Sequence, residues 1–448
     1  METKLLIQKN SKVHFVGIGG AGMSGLALHL LSNGVGVSGS DVCESEITER
    51  LQSAGAEIYL RHTAKNVKNA TLVVYSSAIS EDNPEIKQAK KQNIPILKRS
   101  ELLGEFIKDC KKSIAVSGSH GKTTATAMIA SVLKNALLKP TVFLGGESVE
   151  FGNYLLGNGD IAVCEACEYR KNFLDLTPNI AVVLNIDHDH PDSYKNIEEQ
   201  FSVFSKFIES SIAVINADDV YASKLFNGAS VSFGIYNTAT YTAKKVKGND
   251  GRYSFIACSY GVVRGKINLS VLGLHNVYNA LATFAVADFL GVPFGIIKKG
   301  LENFRGVKRR SEFLSKRGKC EFYADYAHHP NEIIATLKAF NEARGEVAVV
   351  FQPHTYSRTN ALMEEFVCAL NGLKDCIIYK TYSARENFDK NSSAFALYEK
   401  LKNQSTHNFV YAETPEQLKI EVEKISRDYQ TVLFLGAGDI YQIAKSFI

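Results

Sequence analysis

The chain has 448 residues, 45% of them hydrophobic, with 51 Lys and Arg set against 47 Asp and Glu. That length suggests about three domains, each able to bury its own core. A net charge of +4 over such a length gives no basic face for nucleic acid, and no run approaches the ~18 apolar residues of a membrane span. The opening METKLLIQKN lacks the apolar core of a secretory signal, so a cytoplasmic location is expected.

In chain order, β-branched runs alternate with helical patterns. VHFVGIG leads to a helix from about Met23, and TLVVYSS, SIAVSGS, IAVVLNI, SIAVIN, EVAVVFQP, DCIIYK and TVLFLGAG follow. Near-continuous apolar strands separated by helical stretches predict an α/β fold of parallel sheets covered on both faces. Three glycine-containing turns lie between a strand and a helix: near residue 19, near 120, and, more weakly, GAGD near 437. A charged helix end around residues 108–112 and a change from helix-rich sequence to strands near 305–308 divide the chain into 1–108, 109–306 and 307–448. Cys164 and Cys167, the CxxC pair, lie in IAVCEACE, which reads as a strand. Side chains three apart on a strand point to opposite faces, so buried, reduced thiols are expected rather than a metal or disulfide site.

Gly17, Gly19 and Gly22 satisfy GxGxxG between a strand and a helix, and Asp41 follows in SGSD at the end of the next strand. This is the dinucleotide fingerprint in its proper context. Glycines let the backbone approach a diphosphate, and the helix N-terminus supplies N–H donors. NAD, FAD and a UDP-sugar all satisfy it equally, and a packing turn without ligand is the bland alternative.

SIAVSGSHGKTTATAMIASVL places Gly118, Ser119, His120, Gly121, Lys122, Thr123 and Thr124 between a strand and a long helix. The loop is shorter than a Walker A loop, because Val116 stands where the first glycine belongs. The chemistry still reads through: backbone N–H groups form an anion nest, Lys122 reaches the outer phosphates of ATP, and the Thr123 hydroxyl offers an oxygen to Mg²⁺. A nucleoside triphosphate site beside a nucleotide site argues against a plain dehydrogenase, since hydride transfer needs no γ-phosphate.

At this loop the sequence resembles the Mur ligase family, with Ser119 in the place of a usual Thr. The likeness continues through GIGGAGMSG at 17–25, SGSD at 38–41, YSSAIS and DNPE at 75–85, HNVYN at 275–279, FRGVKRR at 304–310, DYAHHP at 325–330 and FQPHTYSRT at 351–359. The resemblance implies three domains: Rossmann-like UDP-binding, central P-loop ATPase-type, and Rossmann-like C-terminal. It implies ATP, Mg²⁺ (or Mn²⁺), UDP-N-acetylmuramate and L-alanine as ligands, without nucleic acid or membrane insertion, in a monomer or homodimer. The branch that adds an intact peptide to the same sugar nucleotide is the nearest alternative. An NAD-dependent oxidoreductase and a catalytically silent P-loop regulator are the rivals from other classes.

Carried over by position, Lys122, Glu165, His190 and Arg358 are the expected catalytic residues, and Thr123, Glu165 and His190 the metal ligands. His275, Asn276, Asn279, Arg310 and Asp325 join residues 118–124 around ATP. Gly17, Gly19, Gly20, Gly22, Met23, Ser40, Asp41 and Ser77 would line the UDP-sugar, and His328 and His329 the amino-acid side. For Glu165, a carboxylate on an apolar strand is costly without a charge partner, which favours a metal. Mg²⁺ prefers oxygen, so His190 rests on the resemblance alone. A solvated loop pair is the bland alternative for His188 and His190, helix capping for the His275–Asn276 pair, and a solvated basic cluster for Arg305, Lys308, Arg309 and Arg310. Two segments depart from the family pattern. Cys167, Tyr169 and Arg170 replace Asp, Ser and Asp, and Thr355 and Asn360 stand where arginine is usual.

Overall fold

The structure, a computed structural model, describes residues 7, 10–188, 193–228, 230–384, 386–404 and 406–446. Its contacts fall into two compact units. The first comprises Met1–Asp187, Glu198–Tyr241 and Asn279–Gly300; the second comprises His188–Ile197, Thr242–Tyr278 and Leu301–Ile448.

The first unit holds a five-stranded parallel sheet in the order β3-β2-β1-β4-β5, built from β1 (Lys12–Val16), β2 (Gly36–Ser40), β3 (Glu57–Tyr59), β4 (Leu72–Tyr75) and β5 (Ile96–Lys98). Val13, Phe15 and Val16 of the central strand are fully buried, as a strand covered on both faces requires. The helix Ala21–Ser32 follows β1.

The same unit contains β6 (Lys112–Ser117), β7 (Thr141–Ser148), β8 (Gly152–Leu155), β9 (Ile161–Glu165), β10 (Ile180–Val183), β11 (Ile212–Asn216) and β12 (Val231–Gly234), ordered β12-β11-β10-β6-β9-β7-β8. All these pairings are parallel except β7–β8 at the edge. The two sheets are joined by polar contacts. Asn153 on β8 donates to Ala21 O at 2.7 Å and Ser24 Oγ at 2.8 Å, and His29 Nδ1 meets the Tyr154 hydroxyl at 3.0 Å. Burial pushes His29 down to about 4, so it packs there as the neutral ring.

The second unit, from Thr242 onward, carries all but the first residue of β13 (Tyr241–Asn249), then β14 (Arg252–Ser259) and β15 (Val262–Leu272), side by side in that order, with β14 and β15 antiparallel. These hairpin strands stand where the sequence reads as helix-rich. Their outer faces are wet: along β15 only Ile267 and Leu269 are buried, so no continuous apolar run marks them. A six-stranded sheet follows, ordered β16-β17-β21-β18-β19-β20, from β16 (Glu312–Arg317), β17 (Cys320–Asp325), β18 (Ala348–Phe351), β19 (Asp375–Tyr379), β20 (Asn408–Ala412) and β21 (Thr431–Leu435). Only the β16–β17 pair is antiparallel. Core clusters cover both faces, one centred on Phe340, Phe351 and Phe366, the other on Phe322, Val350 and Phe434. No helix among the described residues is long and apolar enough to cross a membrane.

Candidate active site: two glycine loops and their carboxylates

The first loop leaves β1 at Gly17, whose φ of +80° suits glycine. Gly17 and Ile18 donate to Ser40 O at 2.8 and 3.0 Å. Asp41, expected to face a ligand, accepts from Gly19 N at 2.8 Å and from Val42 N at 2.8 Å. It therefore braces the turn itself, and a Cβ on Gly19 would stand 2.8 Å from the Asp41 Oδ2 atom. Gly20 caps the helix Ala21–Ser32 without a side-chain bond, and Met23 is buried beneath it. Ser40 is also buried; its hydroxyl lies 2.6 Å from Glu85 and 2.9 Å from His62. Burial alone would raise the Glu85 pKa, but hydrogen bonding with His14, Ser40 and Asn66 holds it below the ordinary glutamate value. Ser77 lies in the loop after β4, and its carbonyl accepts from Arg170 Nη1 at 2.8 Å.

The second loop leaves β6, which lies between β9 and β10. Gly118 has φ +142° and Gly121 φ +84°, both in the region that favours glycine. His120 N donates to Asn185 Oδ1 at 2.8 Å, and Ser119 Oγ lies 2.9 Å from Asp187 N. Helix Lys122–Asn135 begins at the lysine, and Thr124 is buried in its first turn. The Lys122 ammonium donates to Gly118 O at 2.5 Å, Ser119 O at 3.1 Å and Glu168 Oε1 at 3.0 Å. An ammonium has three donors, and here all three have acceptors. Burial disfavours the charge, but the fully buried Glu168 carboxylate outweighs it and raises the lysine above its usual value.

Thr123 Oγ1 donates to Glu165 Oε2 at 3.0 Å, and Gly145 N donates to Glu165 Oε1 at 2.5 Å. Glu165 is the last residue of β9 and only partly buried. Its cost is met by these donors, which removes the force of the argument that an apolar strand would demand a metal. Asn279 is brought to this loop: a Cβ on Gly121 would lie 3.0 Å from Asn279 Oδ1. His188 is exposed, and His190 lies outside the described residues.

Glu168 is the residue that sequence reasoning missed. EACE drew attention to its cysteines and first glutamate, while a charge partner 46 positions from Lys122 leaves no local signal. The cysteines need correction. β9 ends at Glu165, so Cys167 is off the strand and the opposite-face argument does not reach it. Cys164 is buried and Cys167 half-buried, both unbridged.

The remaining expected residues belong to the second unit. His275 is exposed at the start of helix His275–Phe289, and Asn276 donates to Leu272 O at 2.7 Å. Asp325 is 5% exposed and accepts from Ser311 N at 2.7 Å and Ala327 N at 2.9 Å. Burial raises its pKa against the opposing charge of Arg310. Arg310 lies 3.7 Å from Glu332, which also meets His328 at 3.2 Å. His329 is buried and caps helix Pro330–Arg344, accepting from Asn331 N at 3.3 Å. Arg358 is buried, with Nη1 3.3 Å from His354 Nδ1. Arg305 and Lys308 are exposed, as a solvated cluster would be, whereas Arg309 and Arg310 are partly buried.

Three family models match in order: Mur ligase family, catalytic domain, at residues 12–111; Mur ligase middle domain at 116–287; and Mur ligase, glutamate ligase domain, at 309–438. The UDP-N-acetylmuramate–L-alanine ligase of Aquifex aeolicus is 42% identical, over 99% of this chain and 98% of its own. The enzyme of that name from Desulfatibacillum aliphaticivorans is 40% identical over 99% of both. The solved UDP-N-acetylmuramate–alanine ligase of Thermotoga maritima is 34% identical, covers 97% of this chain and 98% of its own, and superposes with a TM-score of 0.84. A murein peptide ligase from Psychrobacter arcticus, 20% identical with a TM-score of 0.75 over 98% of each chain, shares the fold. The chain belongs to the Mur ligase family.

Proposed function

We propose that this protein joins the amine of L-alanine to the carboxylate of UDP-N-acetylmuramate at the expense of ATP, as a cytoplasmic step in making peptidoglycan precursors. The observation that carries the reading is the Lys122 ammonium, kept charged by Glu168 inside a strand–glycine–helix turn. Relatives 42% and 40% identical over almost the whole chain bear the name of that activity.

A carboxylate has no good leaving group, so the acid must be activated before an amine can attack. One carboxylate oxygen attacks the γ-phosphorus, the bond to ADP breaks, and an acyl phosphate forms. The amine then adds to the acyl carbon, loses a proton, and expels phosphate. Phosphoryl transfer is mostly positioning and charge stabilisation. Lys122 would exchange a loop or Glu168 contact for a phosphate oxygen, and Gly118–Gly121 would offer the nest of N–H groups. Thr123 and Glu165 set two oxygen donors 3.0 Å apart, a donor chemistry that fits Mg²⁺ (or Mn²⁺). When bound, the ion supplies positive charge against the phosphates.

Residues 1–108 would take the sugar nucleotide along the first loop, residues 109–306 ATP, and residues 307–448 the amino acid near His328, His329 and Arg358. His275, Asn276 and Asn279 remain proposed for the adenine of ATP, and Arg310 and Asp325 for its ribose and phosphates. Turnover of UDP-N-acetylmuramate labelled with ¹⁸O in its carboxylate should give phosphate carrying one ¹⁸O. Unlabelled phosphate would exclude the acyl phosphate.

A further inference from the structure

Arg99 opens the helix Arg99–Lys108, and its side chain lies along the first turn of helix Ala21–Ser32. A Cβ built on Gly22 would stand 3.2 Å from both its Cδ and its Nη1, so the missing side chain at Gly22 is what admits the guanidinium. The residue is partly buried. Among the described residues no acceptor takes a hydrogen bond from it and no carboxylate pairs with it. The acids nearest to it in sequence or packed on its helix are committed elsewhere: Glu101 accepts from Lys98 N at 2.6 Å, and Asp175 from Ser100 Oγ at 2.5 Å. The charged neighbours of the other loop are also engaged, Glu165 with Thr123 and Glu168 with Lys122.

Ser100, the next residue, lies 3.5 Å from Asn172 Oδ1 and 2.5 Å from Asp175 Oδ2, which sets the start of this helix against the segment that follows Glu165. A half-buried guanidinium without a counter-charge is costly, and its place in the first turn of a helix adds repulsion from the positive end of the dipole. A ligand that brings a negative charge would supply the missing partner.

The position selects the ligand. Arg99 touches the glycine loop that follows β1 on one side and faces the segment that follows Glu165 on the other. A molecule that lies on the first loop and presents its acid toward the second passes this point. We propose that Arg99 is a substrate-binding residue that pairs with an anionic group of the sugar nucleotide, either its diphosphate or its carboxylate. This rests on the ligase reading above. Arg99 is separate from the Lys122 contacts and should not affect ATP.

Calorimetric titration of the full chain with UDP, UDP-N-acetylmuramate and ATP, before and after Arg99→Gln, tests it, with Arg99→Lys as the variant that keeps the charge and thermal melting as a check on folding. A charge-assisted contact predicts a roughly ten- to hundredfold rise in Kd for the sugar nucleotide with Arg99→Gln, partly restored by Arg99→Lys, and unchanged ATP affinity. If UDP weakens equally, the diphosphate is the partner; if only UDP-N-acetylmuramate weakens, the carboxylate is. Unchanged affinity for both, or an equal loss for ATP, overturns the assignment while leaving the ligase reading in place. Wild-type protein that binds neither uridine nucleotide overturns both.

Discussion

At residues 117–122 the chain leaves a strand, turns through glycines and enters a helix, and at 435–440 it does so again. In the first turn the carbonyls of Gly118 and Ser119 accept from Lys122, a cation of the loop itself, with Glu168 behind it. In the second, the carbonyls of Gly436 and Gly438 accept from Arg309, at 3.3 and 3.0 Å. Arg309 comes from 127 residues earlier and lies over the rings of Tyr326 and Tyr441 at 4.7 and 5.0 Å. Gln352 then closes the hollow, donating to Asp439 at 2.6 Å and accepting from Ile440 N at 3.1 Å. A Cβ on Gly438 would be 2.5 Å from both Gln352 Oε1 and Tyr382 Cγ. The two turns share a backbone device and differ in the cation that fills the hollow, one from the loop itself and one from a distant part of the chain. Glycine pattern reports the shape; the partner of the cation reports the chemistry.

The sharpest way to break that comparison is Lys122→Ala. Loss of a phosphate donor should lower kcat about 10²–10³-fold, and leaving Glu168 buried without its partner should cost about 3–5 kcal/mol of stability. Phosphate release and denaturant unfolding measure the two separately. ADP formation at near the wild-type rate would assign Lys122 to structure alone.

Next in size is a pH effect that neither turn should produce near neutrality, since Lys122 is held above the ordinary lysine value and guanidinium groups stay charged. His29, in the last turn of the helix that follows the first glycine loop, is depressed from 6.5 to about 4 by burial. The unfolded chain therefore binds more protons than the folded one between these values, so stability rises with pH across that window and is lost as pH falls through it. The contribution is up to about 3 kcal/mol. Unfolding free energies from pH 4 to 7 should show this slope, and His29→Gln should flatten it; an equal slope in the variant would place the titration elsewhere.

Smallest is Arg309→Ala. Two ring contacts and two hydrogen bonds predict a loss of about 2 kcal/mol, with phosphate release by the folded fraction close to wild type. A large fall in kcat with unchanged stability would make the second turn functional and erase the contrast.

The sequence was informative where one local pattern carries both shape and chemistry. SGSHGKTT marks the strand–glycine–helix turn at Lys122, and the apolar runs at β1, β4, β6, β10, β11, β18, β19 and β21 mark the parallel sheets. It was silent on the hairpins β13–β15, whose exposed faces dilute the apolar signal. It also gave no warning that Asp41 would take the Gly19 N–H, that Glu168 would hold Lys122, or that Arg309 rather than Arg305 would be drawn inward. Each of those is a pairing across tens of residues, decided by packing rather than by local pattern.

The most direct test of the central claim, that the turn at Lys122 grips ATP in order to activate a sugar-bound acid, is phosphate release by purified protein with ATP, Mg²⁺ and UDP-N-acetylmuramate against L-alanine, glycine, L-serine and an intact tripeptide. The expected result is release that requires the sugar nucleotide and an amine together and is fastest with L-alanine. Release that ignores the sugar nucleotide, or that proceeds with the tripeptide and not with L-alanine, would contradict the account.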